Sequence, residues 1–512
     1  MANDGAPLRR ASALEERIAA ARAHPEVFDA FRKKMARRAR GFDAPYACVE
    51  CVETAVTLPF AAGMARERQV FERLRASDQS AAQRHAFFAE REVTKIPDVP
   101  KDTEPLQIER AAVIGCGTMG GGIAMNFANA GIPVTVVDVS DEALDKGLGV
   151  VAQNYAATVA KGRLSQAQMD ERLARIARSV RYEDLRNADI VVEAVFERMD
   201  LKQEVFRRLD AECKADAVLA TNTSTLDVDE IAAVTSRPES VIGTHFFSPA
   251  NVMRLMENVR GKQSSARTIA TVMQLARRLG KVGVLVGVCD GFVGNRMLAP
   301  YLREAEFLLE EGALPQQVDG VIYAFGLPMG PFQMSDLAGN DVSWYIRQRQ
   351  AATRPPDLRY SPIADRICEL GRFGQKTGAG WYRYEPGSRA PVPDPAVEEI
   401  IVAAAAEAGI ERRPVADEDI VPRCLYPLVN EGARILEEGI ALRASDIDVV
   451  WMHGYGFPRY RGGPMFWADL VGLRTIYDAM SRLYDEHGER LAPAPLLKRL
   501  AEQGKGFGDA AA

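Results

Sequence analysis

The spacing of apolar residues divides the chain into three regions. Residues 1–95 place apolar side chains at helical intervals among many Ala, Arg and Glu residues. From Glu109 to about Asp290, short apolar runs alternate with amphipathic segments. That alternation is typical of a parallel sheet covered by helices. After Gly291 the short runs disappear and helical spacing continues. The pattern predicts an α/β domain with helical regions before and after it.

Proline-rich and charged segments separate these regions. Residues 95–107 (KIPDVPKDTEPLQ) contain three prolines, and a second such stretch lies around residues 386–395. The predicted organisation is a helical N-terminal segment at 1–95, a linker at 96–108, an α/β domain at 109–290, a helical domain at 291–385, a linker at 386–415 and a second helical domain at 416–505.

The two helical domains are related by an internal repeat. Eight residues recur in order at an offset of 127 positions. They are Arg296, Leu298, Pro300, Glu304, Leu309, Glu310, Glu311 and Gly312, matched by Arg423, Leu425, Pro427, Glu431, Leu436, Glu437, Glu438 and Gly439. Further on, Phe325-Gly-Leu-Pro328 is echoed by Tyr455-Gly-Phe-Pro458. The C-terminal half is therefore predicted to be a duplicated helical domain. Asn295 corresponds to Pro422, so we expect the first copy to serve a site and the second to be structural.

A glycine-rich turn begins the α/β region. Gly115-Cys-Gly-Thr-Met-Gly120 follows the apolar run Ala111–Ile114, and a second apolar run, Val134–Val137, ends at Asp138. This is the strand–turn–helix–strand unit of a Rossmann-type dinucleotide-binding domain. Gly115, Gly117, Thr118, Met119 and Gly120 are the predicted cofactor contacts, with the helix N-terminus facing the pyrophosphate.

The first glycine permits the tight turn, the second allows close backbone approach, and the third allows the helix to pack on the strand. Asp138 lies 18 residues after Gly120, where a carboxylate accepts ribose hydroxyls and repels a 2′-phosphate. The sequence therefore predicts NAD as the cofactor.

Composition removes several other classes of function. The chain has 512 residues and a net charge of −6, which argues against a nucleic-acid partner. No signal peptide or membrane-length apolar run is visible, and seven scattered cysteines fit a reducing compartment. Cys48 and Cys51 form a single CxxC pair in a helical segment, without a second pair to complete a metal site, and we expect them to be buried. The sequence thus predicts a cytoplasmic protein without a membrane partner or a metal.

His245 and Glu257 are the predicted acid/base pair. His245 follows the apolar run 241–244, which places it near the end of a strand, where ligands of open α/β sheets bind. Glu257 lies on a returning apolar run at 255–259, after the turn Ser248-Pro-Ala-Asn251. A carboxylate against the imidazole would fix its tautomer and raise its basicity. The alternative for His245 is a purely structural histidine.

Two further polar residues are candidates for substrate contact. Ser224 follows the apolar run 218–220, where its hydroxyl could hold a substrate hydroxyl or the nicotinamide ribose of the cofactor. Its alternative role is to cap the next helix, unless Thr225 or Asp227 does so. Asn295 lies at the boundary between the α/β and helical regions, where a cleft would enclose a substrate. Its alternative role is likewise a helix N-cap.

These motifs resemble the L-3-hydroxyacyl-CoA dehydrogenases of fatty-acid β-oxidation, in particular the dehydrogenase half of the multifunctional enoyl-CoA hydratase/dehydrogenase proteins. The similar segments are GCGTMGGGIA, VVEAVFERMDLK, TNTSTL, GTHFFSPANVMRLMENVRG, DGFVGNRML, FGLPMGPFQMSDLAG and FGQKTGAGWYRY. The resemblance implies an NAD-dependent oxidation of L-3-hydroxyacyl-CoA to 3-oxoacyl-CoA.

The resemblance also implies roles for individual residues. His245 and Glu257 match the catalytic pair of the family, and Ser224 and Asn295 match its polar residues at the substrate. Glu197, Lys202 and Lys376 match positions near the nicotinamide cofactor, and Lys161 matches a lysine near the coenzyme A moiety. Ser248 stands where the family often has Asn.

Residues 46–95 resemble only the tail helices of a crotonase fold, which implies that no hydratase activity accompanies the dehydrogenase. Two other functions remain open at this point: a dehydrogenase of a non-thioester 3-hydroxy acid, and an inactive assembly subunit of a separate hydratase. Turnover of a 3-hydroxy acid and of its CoA thioester would distinguish the first of these.

The duplication bears on assembly. Because a tethered second copy has a high effective concentration, we expect the two helical domains to pair within one chain and leave a monomer. The N-terminal helices could add an oligomer contact.

Overall fold

The computed structural model of the protein describes Ser12 and residues 16–351, 354–355 and 358–509. The chain divides into two compact units. One comprises the chain up to His85 together with Pro458–Gly462, and the other comprises Ala86–Phe457 and the chain from Gly463 onward.

The first unit is helical, as predicted. Its helices are α1 (Glu16–Arg22), α2 (Glu26–Met35), α3 (Ala44–Thr57), α4 (Phe60–Arg75) and the beginning of α5 (Asp78–Glu92). Phe28, Val49 and Val56 form a small buried cluster. Cys48 is exposed and Cys51 is half-buried on α3, so the expectation of a buried pair is wrong for Cys48. Helical spacing identifies an element but does not fix which of its faces is covered.

The second unit contains an eight-stranded sheet with strand order β3-β2-β1-β4-β5-β6-β7-β8. Its strands are β1 (Ala111–Ile114), β2 (Val134–Val137), β3 (Ile176–Ser179), β4 (Ile190–Glu193), β5 (Val218–Thr221), β6 (Val241–Phe246), β7 (Leu255–Arg260) and β8 (Val282–Gly287). All neighbours are parallel except β6 and β7, which pair antiparallel. The predicted Rossmann-type domain is confirmed. Strand β3 was not predicted because its sequence, IARS, has no apolar run.

Helices cover both faces of this sheet. They are α6 (Thr118–Asn129), α7 (Asp141–Ala160), α8 (Gln166–Ala174), α9 (Met199–Glu212), α10 (Val228–Ala232) and α11 (Ala266–Arg278). Alternate residues of β1 enter different clusters: Ala111 and Val113 join one apolar core, whereas Ala112 and Ile114 join the other. Burial on both faces explains why the strands read as continuous apolar runs.

The duplicated helical region follows the sheet, as predicted. Its helices are α12 (Gly294–Glu311), α13 (Pro315–Phe325), α14 (Pro331–Ala338), α15 (Asn340–Ala351), α16 (Ile363–Glu369), α17 (Pro395–Glu407), α18 (Asp417–Glu437), α19 (Ala444–Gly454), α20 (Pro464–Val471), α21 (Leu473–His487) and α22 (Pro495–Gln503). Within the described ranges, no helix is both long and apolar enough to cross a membrane.

Helix α17 corrects one predicted boundary. Residues 386–415 were expected to be a linker, but α17 occupies thirteen of them and packs against α12 and α16. Pro395 at the first turn and the Asp394 side chain, which accepts a hydrogen bond from the Ala396 N–H, begin this alanine-rich helix. One of the prolines that suggested a linker, Pro395, therefore marks a helix start.

Helices α12 and α18 join the two copies through reciprocal ion pairs. Arg296 donates from Nε to Glu431 (2.7 Å) and from both terminal nitrogens to Glu438 (2.5 and 2.8 Å). Arg423, its counterpart in the repeat, donates from Nε to Glu304 (2.8 Å) and from both terminal nitrogens to Glu311 (3.1 and 3.0 Å). Exchanging the copies exchanges the two sets of bonds. The copies therefore meet across a pseudo-twofold axis, like the halves of a symmetric dimer.

The two sets differ in burial, which generates a stability prediction. The side chain of Glu304 is fully buried, whereas that of Glu438 is 49% exposed. Arg423→Met removes the 2.8 Å donor of the buried Glu304 Oε2, while Arg303 and Arg490 still contact Oε1, so we expect a cost of about 2 kcal/mol. Arg296→Met, the matched control, exposes its partners to water and is expected to cost about 1 kcal/mol or less. Urea unfolding followed by tryptophan fluorescence compares them, and equal losses would contradict the burial argument.

Candidate active site

The glycine-rich turn fits a dinucleotide. Gly115 has φ +94°, and a Cβ there would lie 2.7 Å from the Ala194 carbonyl oxygen. A Cβ on Gly120 would lie 1.8 Å from the Gly115 oxygen, so only glycine lets α6 pack against β1. By contrast, a Cβ on Gly117 would meet nothing within 4 Å. That open space is where the backbone could meet a pyrophosphate.

Helix α6 presents its first turn to the same space. It begins at Thr118 and Met119, and no side chain caps it, so its first N–H groups remain available to an anion. Asp138, at the end of β2, accepts hydrogen bonds from the Cys116 N–H (2.6 Å) and the Val139 N–H (2.7 Å). The carboxylate is thereby fixed beside the turn, where it could accept ribose hydroxyls.

His245 and Glu257 lie opposite each other on β6 and β7. The distance between His245 Nδ1 and Glu257 Oε2 is 2.8 Å, and both side chains are buried. The other carboxylate oxygen, Oε1, accepts the Gly294 N–H at 2.9 Å, at the start of α12. A carboxylate beside Nδ1 favours the tautomer with its proton there, which leaves Nε2 as the basic nitrogen.

Aromatic rings enclose the imidazole. The ring centroids of Phe247 and Phe292 lie 4.6 and 5.7 Å from that of His245. Phe292 is fully buried and has φ +50°, in the left-handed region that side-chain-bearing residues rarely occupy. Such a conformation costs about 1–3 kcal/mol and is typical of functional sites. It follows Gly291, whose φ is +77°.

Glu197 organises the loop that carries Ser224. Its Oε1 accepts hydrogen bonds from the Ser224 N–H (2.7 Å), the Thr225 N–H (3.0 Å) and the Thr223 hydroxyl (2.7 Å). Burial alone would raise the pKa of Glu197, but the Lys202 ammonium and these hydrogen bonds outweigh it and hold that pKa below its usual value. Ser224 does not cap α10, because Asp227 does.

Lys202 lies beneath this loop. Its ammonium is buried and contacts Glu193 (2.7 Å) and Glu197 (3.5 Å). Lys202 therefore supports the carboxylate that organises the loop.

Asn295 is the second residue of α12 and is half-buried. It is not the N-cap, because Val293 occupies that position. Its Oδ1 accepts a 2.8 Å hydrogen bond from the hydroxyl of Tyr455, which belongs to the second helical copy. Sequence reasoning missed Tyr455. The sequence does distinguish Tyr455 from its counterpart in the repeat, because the matching residue of the first copy is Phe325.

Two predicted residues are not brought into this group by any contact. The Lys376 ammonium pairs with Asp341 at 2.5 Å within the first helical copy. Lys161 is exposed at the end of α7. In the part of the chain that the structure describes, no three His, Cys, Asp or Glu side chains are grouped so that they could hold a metal ion.

Family comparison identifies this arrangement. Residues 110–289 match the model of the 3-hydroxyacyl-CoA dehydrogenase NAD binding domain. Residues 291–384 and again 420–510 match the model of the C-terminal domain of the same enzymes. The chain belongs to the 3-hydroxyacyl-CoA dehydrogenase family. The double match also supports the duplication inferred from the repeat.

Individual relatives support this family assignment. The chain is 44% identical over 498 residues to the peroxisomal bifunctional enzyme of Danio rerio, covering 93% of this chain and 68% of that protein. It is 45% identical over 496 residues to the enzyme of the same name from Homo sapiens, with the same coverage. Among solved structures, the dehydrogenase part of multifunctional enzyme 1 from C. elegans has 32% identity and a TM-score of 0.61, covering 81% of this chain and 96% of that one. The 3-hydroxybutyryl-CoA dehydrogenase of Escherichia coli K12 has 27% identity and a TM-score of 0.68, covering 78% and 99%.

These findings confirm the predicted activity, an NAD-dependent oxidation of 3-hydroxyacyl-CoA, and the predicted cofactor. The prediction of a cytoplasmic protein is wrong, because the similar bifunctional enzymes are named peroxisomal. Free cysteines argue only against an oxidising compartment and do not single out the cytoplasm. Peroxisomal addresses are short signals that receptors read, so composition does not reveal them.

Two glycines of the turn, Gly117 and Gly120, provide a matched pair of variants. Gly117→Ala adds a methyl group in open space, so we expect an unchanged melting temperature and a raised Michaelis constant for NAD, because the methyl group blocks backbone approach. Gly120→Ala forces the helix off the strand, so we expect a lowered melting temperature. Thermal unfolding and NAD titration separate the two, and an unchanged NAD constant in Gly117→Ala would contradict the assignment.

Proposed function

We propose that His245 is the base that removes the proton from the C3 hydroxyl of a 3-hydroxyacyl-CoA. The single observation that carries this role is the 2.8 Å contact between His245 Nδ1 and Glu257, which leaves Nε2 as the acceptor. When bound, NAD accepts the hydride from C3. A positioned general base contributes about 10²- to 10⁴-fold to a rate, provided that it lies within hydrogen-bond reach of the proton.

Glu257 stabilises the imidazolium that forms when His245 takes the proton. The carboxylate is fully buried, and its second oxygen is held by the Gly294 N–H at the start of α12. The imidazole and the Gly294 N–H, one on each carboxylate oxygen, fix the carboxylate in place beside His245. Glu257 therefore acts on the imidazole rather than on the substrate.

Asn295 and Ser224 hold the substrate in line. Asn295 is the second residue of α12, directly after Gly294, and its amide nitrogen can donate to the thioester carbonyl or to the reacting oxygen. Ser224 lies on the loop that Glu197 organises, and its hydroxyl can hold the C3 oxygen or the nicotinamide ribose. Asp138 selects NAD over NADP by repelling a 2′-phosphate.

The decisive experiment replaces the base. His245→Gln is expected to lower kcat for 3-hydroxybutyryl-CoA by about 10²- to 10⁴-fold while leaving NAD binding intact, because the amide cannot take a proton. His24→Gln is the matched control, since His24 also pairs with a carboxylate, Glu26, at 3.1 Å but is exposed. NADH formation is followed by absorbance. Unchanged turnover in His245→Gln would refute the mechanism.

We also propose that the chain is a monomer whose second helical copy replaces a partner subunit. The reciprocal Arg296 and Arg423 ion pairs support this, because they complete within one chain a contact that has the form of a dimer interface. We expect light scattering to give a mass near the chain mass of 56.1 kDa. Truncation after residue 415, which keeps α17, is expected to give a dimer or aggregates by exposing α12. A soluble and active truncated monomer would contradict the proposal.

A further inference from the structure

A tyrosine of the second helical copy reaches the candidate active site. Tyr455, just after α19, donates a 2.8 Å hydrogen bond from its hydroxyl to Asn295 Oδ1. Burial, together with the nearby Glu257 carboxylate, raises the pKa of Tyr455 well above its usual value. The hydroxyl therefore keeps its proton and can donate it in this bond.

The Tyr455 ring is held on three sides. It stacks on Trp451 with ring centroids 4.4 Å apart, and it meets Phe247 edge-on at 5.6 Å. Phe247 is the ring that packs against His245. On the third side lies Gly294, where a Cβ would come within 2.8 Å of the tyrosine ring. Close approach to the start of α12 thus requires glycine at position 294.

The hydrogen bond has a chemical consequence for Asn295. A side-chain amide carries one oxygen acceptor and one nitrogen donor, and rotation by 180° exchanges them. A donor bonded to Oδ1 fixes the rotation of the Asn295 amide and leaves the Nδ2 hydrogens pointing away from that donor. Without the hydroxyl, the amide could present either atom to the substrate.

The pseudo-twofold relation supplies a second, independent observation. The counterparts of Tyr455 and Asn295 in the repeat are Phe325 and Pro422, which have neither a hydroxyl nor an amide side chain. Helix α13, which ends at Phe325, packs against α18, which carries Pro422. The polar pair therefore occurs only on the side of the interface that faces His245 and Glu257. A contact needed for packing alone would not require this asymmetry.

We propose that Tyr455 is a positioning residue for the dehydrogenase reaction, which orients the Asn295 amide so that its nitrogen donates to the substrate. The second helical copy then completes the active site instead of only covering the first. This inference rests on the proposed role of Asn295. It assigns a function to a residue that lies 160 positions further along the chain.

The test is a double-mutant cycle with Tyr455→Phe and Asn295→Ala. Tyr455→Phe keeps the ring and removes only the hydroxyl, so we expect kcat for 3-hydroxybutyryl-CoA to fall about fivefold to tenfold, the rate equivalent of one hydrogen bond. The Michaelis constant for NAD and the melting temperature should change little. Asn295→Ala alone should lower kcat by about 100-fold. In the Asn295→Ala background, Tyr455→Phe should have no further effect on kcat, because the amide that it orients is gone.

Tyr426→Phe is the matched control, because Tyr426 lies in the same helical copy and packs on Trp467, with ring centroids 6.0 Å apart. It should leave kcat unchanged. If Asn295→Ala has no effect on kcat, the proposed role of Asn295 fails. If Asn295→Ala lowers kcat but the effect of Tyr455→Phe is absent, or is equally large in both backgrounds, the positioning role of Tyr455 is overturned while the proposed function stands.

Discussion

The active site depends on one buried carboxylate. Glu257 is fully enclosed, and a charge in such a place is tolerated only if its oxygens have partners. One oxygen contacts the imidazole on the neighbouring strand, and the other contacts the N–H that begins the first helix of the helical domain. The antiparallel register of β6 and β7 sets His245 opposite Glu257, and a slip of one residue would turn either side chain to the other face of the sheet. The pairing of β6 with β7, the contact with the helical domain and the proposed proton transfer therefore all involve Glu257.

The second constraint is the interface between the helical copies. Its ion pairs repeat across the pseudo-twofold axis, so each arginine meets the glutamates of the other copy. The same interface brings Tyr455 against Gly294, next to the N–H that Glu257 accepts. Residues that stabilise the docking of the copies thus also fix the start of α12, where Asn295 lies. Stability of the helical region and geometry of the site are coupled through this helix.

Much of the fold and site could be predicted because the informative residues follow apolar runs. Gly115, Asp138 and His245 lie at or near the ends of parallel strands, which meet at one edge of the sheet, whereas Glu257 lies opposite His245 through the antiparallel pairing of β6 and β7. Strand β3 has no apolar run, and α17 begins at prolines that also suggest a linker. Local sequence features could not predict the contact of Tyr455 with the site, because that contact depends on how the two copies of the repeat pack together. The contacts of Lys161 and Lys376 depend on the directions of their long, flexible side chains, which the sequence does not determine.

Joining both helical copies in one chain changes how mutations act on the interface. In a symmetric pair of identical subunits, every substitution occurs twice, so a residue that improves one end of the contact is imposed on the other. A tandem duplicate is free of that restriction. Tyr455 therefore carries a hydroxyl, whereas its counterpart Phe325 does not. Likewise, proline occupies position 422 while position 295 has asparagine. Covalent linkage thus permits a division of labour that two identical chains cannot evolve.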